Sequence, residues 1–305
     1  MKRAVITGAT GMIGLAIIRE LIRNEVEVLV LTNPSSTRNA GIPKHPLVTT
    51  EAVEMSAFSS FHTDKKYDAF FHLAWGGTHG DARNDMPLQL DNARAAVEAV
   101  RLASRIGCEV FIGAGSQAEY GRVPDGTKLA PDTPTFPETG YGIAKLCAGQ
   151  MTRVECNALH IRHIWMRILS VYGPHDGEHT MVMSGIRQLL AGERPTYTKG
   201  EQMWDYLYCD DAARAFMLAC EKAPDGAVYA LGGGRVQPLR DYITTIRDLT
   251  APQADIGFGE VPYYDKQVMY LCADIDTLTA DTGFTPQTSF EEGIKQTLEW
   301  IKTEK

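Results

Sequence analysis

Tyr141 and Lys145 stand four residues apart in the stretch 140–145, Gly-Tyr-Gly-Ile-Ala-Lys. On a helix this spacing puts both side chains on one face, so that the ammonium group can lie beside the phenol. A nearby positive charge favours the phenolate and moves a tyrosine pKa of about 10 toward the neutral range. We therefore predict that Tyr141 gives and takes a proton. Because the same spacing occurs by chance in surface helices, this prediction depends on what else the chain contains.

A glycine-rich turn at 8–14, Gly-Ala-Thr-Gly-Met-Ile-Gly, joins a predicted buried strand at 3–7 to a predicted helix at 15–23. In such a unit glycines let the backbone approach a pyrophosphate, and the helix N-terminus offers free N–H groups. The spacing differs from the Gly-x-Gly-x-x-Gly of many dehydrogenases, and a turn without a ligand is the alternative. We expect a dinucleotide to bind here, at Gly8, Thr10, Gly11, Met12, Ile13 and Gly14.

The end of the second predicted strand, at 26–31, carries information about the cofactor. An acidic residue near this strand end binds the ribose 2′-hydroxyl of NAD, whereas a basic residue suits the 2′-phosphate of NADP. No acid follows the strand, and Thr32 and Asn33 lead to Arg38 instead. These three residues are expected near the ribose and favour NADP(H), with NAD(H) possible. Alternatively, Arg38 is a solvated loop charge.

Predicted strands and helices alternate through the first half of the chain. This order predicts an α/β protein with a Rossmann-type, doubly wound parallel sheet, whose ligands gather at the carboxyl ends of the strands. Ser116 follows the fifth strand and so falls at that edge. We expect residues 1–170 to form the dinucleotide-binding domain, joined by segments near 205–232. Residues 171–305 are expected to form mainly a smaller, mixed α/β substrate lobe.

Composition limits the class of protein. The chain has 305 residues, a formal net charge of −8 and 44% hydrophobic residues, which is ordinary for a globular protein with a sizeable core. No apolar run approaches the ~20 residues of a membrane helix, and the N-terminus lacks the layout of a secretory signal, so a cytoplasmic location is expected. Six scattered cysteines show no metal-ligand spacing and are expected to be reduced. The acidic balance argues against nucleic acid as a partner.

Together, the glycine turn, Leu73-Ala74 after the fourth strand, Ser116, and Tyr141 with Lys145 resemble the extended short-chain dehydrogenase/reductase superfamily. Three further segments, at 167–174, 204–211 and 289–301, are similar to motifs of that family, and the resemblance covers essentially the whole chain. It implies an NAD(P)-dependent enzyme of carbohydrate biosynthesis that acts on a nucleotide-activated sugar.

The resemblance also implies roles for individual residues. Ser116 would hydrogen-bond the reacting sugar oxygen, Tyr141 would exchange a proton with it, and Lys145 would bind the nicotinamide ribose. Further cofactor contacts are expected at Leu73, Ala74, Trp75 and Ile168. Candidates for the substrate pocket are Trp75, His79, Gln117 and Tyr120, although His79 could equally be a solvated loop residue, and Trp75 and Tyr120 could pack between the lobes.

Two departures from the family pattern reduce the number of reactions that fit the chain. In the family's sugar 4,6-dehydratases an Asp-Glu pair follows the active-site hydroxyl residue, but this chain has Gln117 and Ala118, which disfavours dehydration. Trp204 stands where the family often has an arginine that binds the sugar-nucleotide diphosphate. Diphosphate binding must then come from elsewhere, for instance from Arg194 or Lys266.

Three functions remain open at this point. The segments Gly-Ser-Gln-Ala-Glu-Tyr-Gly and Gln-Met-Trp-Asp-Tyr favour reduction of a 4-keto sugar over its alternative, a 4-epimerase with tightly held NAD. A non-catalytic NADP-sensing protein is a distant third, because family relatives of that kind lack the Tyr/Lys pair.

A homodimer is expected through the Tyr/Lys helix and the helix before it, with small residues at Ala144, Cys147 and Ala148, unless these pack inward.

Overall fold

The computed structural model describes residues 1–265 and 267–303. Its strands are β1 (Arg3–Thr7), β2 (Glu27–Thr32), β3 (Val48–Ala52), β4 (Ala69–His72), β5 (Val110–Ser116), β6 (Arg162–Ile168), β7 (Ser170–Tyr172), β8 (Thr196–Tyr197), β9 (Met203–Trp204), β10 (Tyr206–Tyr208), β11 (Ala227–Leu231), β12 (Gln237–Pro238) and β13 (Gly257–Phe258). Its α-helices are α1 (Met12–Arg23), α2 (Met86–Arg105), α3 (Gly140–Ala158), α4 (Met181–Leu190), α5 (Cys209–Lys222), α6 (Leu239–Thr250), α7 (Asp276–Thr282) and α8 (Phe290–Thr303). Short 3₁₀ helices lie at Thr37–Gly41, Met55–Ala57, Gly80–Asn84 and Gln117–Glu119.

Seven strands form one parallel sheet in the order β11-β6-β5-β4-β1-β2-β3. The order reverses at β1, which pairs with β2 on one side and with β4 on the other. The ends of the strands are in register, since Thr7 lies opposite His72 and Ser116 opposite Ile168. The carboxyl ends of β1, β4, β5 and β6 therefore meet at one edge. The predicted Rossmann-type fold is confirmed.

Helices cover both faces of this sheet, because alternate residues of each strand point to opposite faces. In β1, Ala4 and Ile6 belong to the core cluster that contains α1 and α5. Val5 belongs to the other cluster, together with Val100 and Leu102 of α2. Nearly continuous apolar runs in the central strands reflect this burial on both faces.

The second half of the chain builds three small sheets and also returns to the main one. β11 pairs with β6 as the seventh strand, whereas β7 with β10, β8 with β13 and β9 with β12 form two-stranded pairs. The buried carboxylate of Asp205 joins these segments, accepting hydrogen bonds from the backbone of Gly233 at 2.6 Å, Gly234 at 3.0 Å and Ala273 at 2.9 Å. The proposed division at residue 170 stays a prediction.

Local structure adjusts one sequence-based expectation, the start of the second helix. Apolar periodicity at Ala95, Val97, Val100 and Leu102 predicts a helix that starts near residue 91. Helix α2 begins earlier, at Met86, because the Asp85 carboxylate caps it at the Leu88 N–H (3.2 Å) and Pro87 fits the first turn. All six cysteines are free thiols, and five of them are buried. Within the described ranges, the structure has no helix that is long and apolar enough to cross a membrane.

Candidate active site

Ser116, Tyr141 and Lys145 come together at the carboxyl edge of the sheet. Ser116 is the last residue of β5, and Tyr141 and Lys145 lie in the first two turns of α3, all three buried. The start of α3 is fixed by Thr139, whose hydroxyl accepts a hydrogen bond from the Gly142 N–H at 3.1 Å. A Cβ at position 142 would lie 2.3 Å from the Ala118 carbonyl oxygen, so glycine is what lets the helix approach the segment after Ser116.

The electrostatics of Tyr141 differ from the sequence-based expectation. Burial raises the pKa of Tyr141, although hydrogen bonding with Ser116 and the charge of Arg83 act in the opposite direction. Burial also lowers the pKa of Lys145 to about 7, against the opposing charge of Glu119. The expectation that Lys145 brings the pKa of Tyr141 down is wrong for this structure, because both groups are removed from water.

Lys145 has its shortest recorded contacts with the backbone of β5 and with Trp75. Its Nζ donates a hydrogen bond to the Ala114 carbonyl at 2.6 Å and lies 3.8 Å from the ring centroid of Trp75. Its distance from the ring centroid of Tyr141 is 5.9 Å. The indole of Trp75 meets Tyr141 edge to face at 6.2 Å, and its N–H donates to Gln89 at 2.8 Å. Trp75 therefore covers the Tyr/Lys pair.

The glycine turn fits a dinucleotide pyrophosphate. Gly8 has φ +70°, and a Cβ there would lie 2.4 Å from the Leu73 carbonyl carbon. A Cβ on Gly14 would lie 2.4 Å from the Gly8 oxygen, whereas one on Gly11 would meet only that oxygen, at 3.6 Å, among the described atoms. No side chain caps α1 at Gly11, so the N-terminal amides of the helix face the turn. Packing explains Gly8 and Gly14, while Gly11 keeps the space above the helix open.

Gly11→Ala should therefore weaken dinucleotide binding by about tenfold or more while leaving thermal stability unchanged, since inserting an atom into a close contact costs ~1–3 kcal/mol. Calorimetric titration with NADPH and NADH measures the affinity, and thermal unfolding measures the stability. Gly177→Ala is the matched control, because its Cβ would meet only Thr180, at 3.7 Å. Gly11→Ala protein that binds dinucleotide normally would contradict the assignment of the turn.

The other predicted cofactor residues line the same edge. Leu73 and Ala74 follow β4, and the Ala74 N–H donates to the Thr7 hydroxyl at 3.3 Å. At the end of β2, the Thr32 hydroxyl donates to the side chain of Asn39. Arg38 is exposed. Of the remaining predicted contacts, Thr10 lies in the glycine turn, and Met12 and Ile13 begin α1. Asn33 follows β2, and Ile168 is the last residue of β6.

Three of the predicted substrate residues lie in different surroundings: beside Ser116, on an exposed loop and in the core. Gln117 follows Ser116, and its buried side-chain oxygen accepts no hydrogen bond from the described residues, so it is available to a ligand. His79 is exposed on the loop between β4 and α2. Tyr120 is only 1% exposed and packs in the core with Leu129 and Leu169, which favours the packing alternative.

Trp204 and the two residues suggested for diphosphate binding, Arg194 and Lys266, are engaged elsewhere or lie outside the described part. Trp204 donates its indole N–H to the Ser170 hydroxyl at 2.9 Å. Arg194 pairs with Asp255 at 2.6 Å and with Glu260 at 2.6 Å on the surface. Lys266 is not among the described residues. The source of positive charge for a diphosphate thus stays a prediction.

One buried network behind Ser116 was not predicted. The Glu119 carboxylate accepts hydrogen bonds from the Ser116 N–H at 2.8 Å, from Trp165 at 3.0 Å and from the Arg167 Nε at 2.9 Å. The Glu119 and Arg167 side chains are only 1% and 6% exposed. The signal in the sequence was a glutamate three residues after a serine, the pattern of a capping box.

A parallel doubly wound sheet with a glycine turn at β1 and a Ser/Tyr/Lys set at its carboxyl edge defines a dinucleotide-binding α/β protein. The chain belongs to the NAD dependent epimerase/dehydratase family, whose sequence model matches residues 4–232. The resemblance to the extended short-chain dehydrogenase/reductase superfamily is thereby confirmed.

Named relatives are distant but cover the whole chain. The sequence is 24% identical over 344 residues to dTDP-glucose 4,6-dehydratase of Escherichia coli, covering 99% of this chain and 94% of the relative. UDP-N-acetylglucosamine 4-epimerase from Methanobrevibacter ruminantium M1, solved with UDP-N-acetylmuramic acid, has a TM-score of 0.89 at 23% identity and covers 100% and 99% of the two chains. UDP-glucuronic acid 4-epimerase from Bacillus cereus, solved with NAD, has a TM-score of 0.84 at 21% identity and covers 99% and 97%. At these identities the structures establish a shared fold.

Proposed function

We propose that the protein reduces the keto group at position 4 of a nucleotide-activated sugar. The observation that carries this proposal is that Ser116 and Tyr141 lie together at the sheet edge. A tyrosine phenol is protonated at neutral pH, and burial raises the pKa of Tyr141 further. A protonated phenol is a proton donor, and a proton donor is what the oxygen of a ketone needs as it becomes an alcohol.

Each side chain has a defined part in this reaction. A bound nicotinamide supplies the hydride. Tyr141 donates its proton to the developing alkoxide, and Ser116 donates a hydrogen bond to the same oxygen. The Ser116 Oγ accepts the Ala118 N–H at 3.2 Å and also hydrogen-bonds the Tyr141 phenol, so the two hydroxyl groups lie side by side. Lys145, whose Nζ donates to the Ala114 carbonyl at 2.6 Å, would contact the nicotinamide ribose, as the family resemblance implies.

Dehydration is disfavoured, although relatives with that activity are similar over the whole chain. Elimination of water needs an acid and a base beside the sugar, and Gln117 and Ala118 cannot ionise. A non-catalytic sensor is also disfavoured, because the Ser/Tyr/Lys set is complete.

A 4-epimerase is the second candidate, and the similarity to solved 4-epimerases supports it. Ser116 and Tyr141 would serve it equally, since an epimerase removes and returns a hydride at one carbon. The family is described by NAD dependence. A preference for NADP(H) is our proposal from the end of β2, where Thr32, Asn33 and Arg38 stand in place of an acid.

The dinucleotide that the purified protein carries tests these alternatives. Freshly purified protein is denatured, and the released cofactor is identified by chromatography and mass spectrometry. Reductase activity predicts a largely empty site that binds NADPH more tightly than NADH and oxidises it with nucleotide-linked 4-keto sugars. Stoichiometric NAD retained through purification would instead favour the epimerase and contradict the interpretation of Arg38.

We also propose a cytoplasmic homodimer that pairs through α2 and α3. Ala144 and Ala148 are buried inward, so of the three small residues only Cys147, which is half-buried, reaches the surface of α3. Apolar side chains are nevertheless exposed along the outer face of α3, at Ile143, Met151 and Val154. Burying these side chains favours association. Val154→Glu should therefore convert a dimer into a monomer in sedimentation equilibrium, and a wild-type monomer would contradict the proposal.

A further inference from the structure

Arg83 lies over the ring of Tyr141. Its guanidinium carbon is 4.4 Å from the ring centroid, and its Nη1 donates to the Thr78 carbonyl at 3.1 Å. The residue belongs to the 3₁₀ helix Gly80–Asn84 in the loop between β4 and α2, and it is half-buried. Within the described ranges, no carboxylate forms an ion pair with Arg83, so its charge faces the tyrosine without a neutralising partner.

The backbone around Arg83 is anchored to the start of α3. Asn84 accepts a hydrogen bond from the Gly140 N–H at 2.9 Å, and a Cβ on Gly140 would lie 3.0 Å from the Arg83 carbonyl oxygen. The buried Gln89 amide donates to the Gly77 and Ala82 carbonyls, both at 2.9 Å. The position of Arg83 relative to Tyr141 is therefore fixed by the loop and does not depend on one flexible side chain alone.

Other groups around Tyr141 supply less positive charge. Lys145, on the same helix, donates to the Ala114 carbonyl, and burial lowers its pKa to about 7. Glu119, from the 3₁₀ helix after β5, is negative and raises the pKa of Tyr141. Ser116 at the end of β5 and Trp75 after β4 are neutral. Arg83 is thus the permanently charged cation beside the phenol.

We propose that Arg83 is a positioning residue that stabilises the phenolate of Tyr141, the electrostatic role that helical spacing predicts for Lys145. A cation over the face of the ring interacts favourably with it, and the interaction strengthens when the phenol loses its proton. After Tyr141 donates its proton, Arg83 holds the resulting charge. Lys145 remains free to hold the ribose.

Titration of Tyr141 in the full-length protein tests this role without a substrate. Tyrosine is replaced throughout by 3-fluorotyrosine, whose phenol is more acidic, and the ¹⁹F resonance of position 141 is identified by its loss in Tyr141→Phe. Arg83→Met should raise the titration midpoint of that resonance by about one unit, as expected for removal of a charge within this distance. Arg83→Lys should keep most of the wild-type midpoint.

Two further variants complete the design. Arg94→Met is the matched control, because Arg94 is an exposed α2 arginine that pairs only with Asp91, at 3.6 Å, among the described residues, and its loss should leave the midpoint unchanged. Arg83→Gln, which keeps a donor for the Thr78 carbonyl, replaces Arg83→Met if that variant does not fold. An unchanged midpoint in the Arg83 variant, or a larger upward shift in Lys145→Met, overturns the proposal.

This inference deepens the proposed function and rests on it only for the effect on turnover. In keto-sugar reduction, the loss of activity at high pH should move upward together with the titration midpoint. If the midpoint shifts as expected but no nucleotide-linked keto sugar is reduced, the role of Arg83 stands and the proposed reaction fails.

Discussion

Tyr141→Phe should lower kcat for keto-sugar reduction by ~10²–10⁴-fold, the usual contribution of a positioned general acid. The substitution removes only the phenolic oxygen and leaves the ring that packs edge to face against Trp75 at 6.2 Å. Dinucleotide affinity should therefore be preserved, because the glycine turn and Lys145 are untouched. Steady-state kinetics and calorimetric titration of the same preparation measure the two quantities.

A matched control separates loss of the proton donor from loss of any buried hydroxyl. Tyr67 is also buried, but it precedes β4 at the opposite end of the sheet, where its N–H donates to the Ile106 carbonyl at 3.0 Å. Tyr67→Phe should retain full turnover. Retention of wild-type turnover by Tyr141→Phe would rule out the proposed acid, and a cofactor sensor would show no change in any function.

The fold was predictable wherever local pattern and long-range structure agree. The strand, glycine turn and helix that begin the chain are adjacent in sequence, and parallel strands buried on both faces give continuous apolar runs. The second lobe gave a weaker signal, because strands such as β8, β9, β12 and β13 have two residues each. Two residues carry no periodicity, and their partners are chosen by tertiary packing.

The site was predictable in its parts but not in its electrostatics. Helical spacing places Tyr141 and Lys145 on one face, and the order of motifs places Ser116 at the strand end. Spacing does not reveal that both ionisable groups are buried, or that the Lys145 ammonium is directed to the Ala114 carbonyl. Arg83 reaches Tyr141 only because the loop after β4 folds back onto α3, a contact between distant segments that the sequence pattern does not encode.

Glu119→Gln should destabilise the protein by about 3–5 kcal/mol, because breaking a buried ion pair leaves the remaining charge uncompensated. The glutamine amide would also face the Arg167 and Trp165 donors, which now bond to the carboxylate at 2.9 Å and 3.0 Å. The free energy of unfolding from urea titration measures the effect. Glu260→Gln is the control, since its partner Arg194 is exposed and the loss of that pair should change stability little.

A double variant separates the stability of this network from its effect on Ser116. Glu119→Leu with Arg167→Met replaces the ion pair by apolar side chains of similar volume and should recover much of the lost stability. The Ser116 N–H, which now donates to Glu119 at 2.8 Å, would still lack its acceptor. We therefore expect the stable double variant to have a lower kcat than the wild-type protein. If Glu119→Gln is as stable as Glu260→Gln, the buried pair does not hold the β5 end in place, and another contact must fix the Ser116 hydroxyl beside Tyr141.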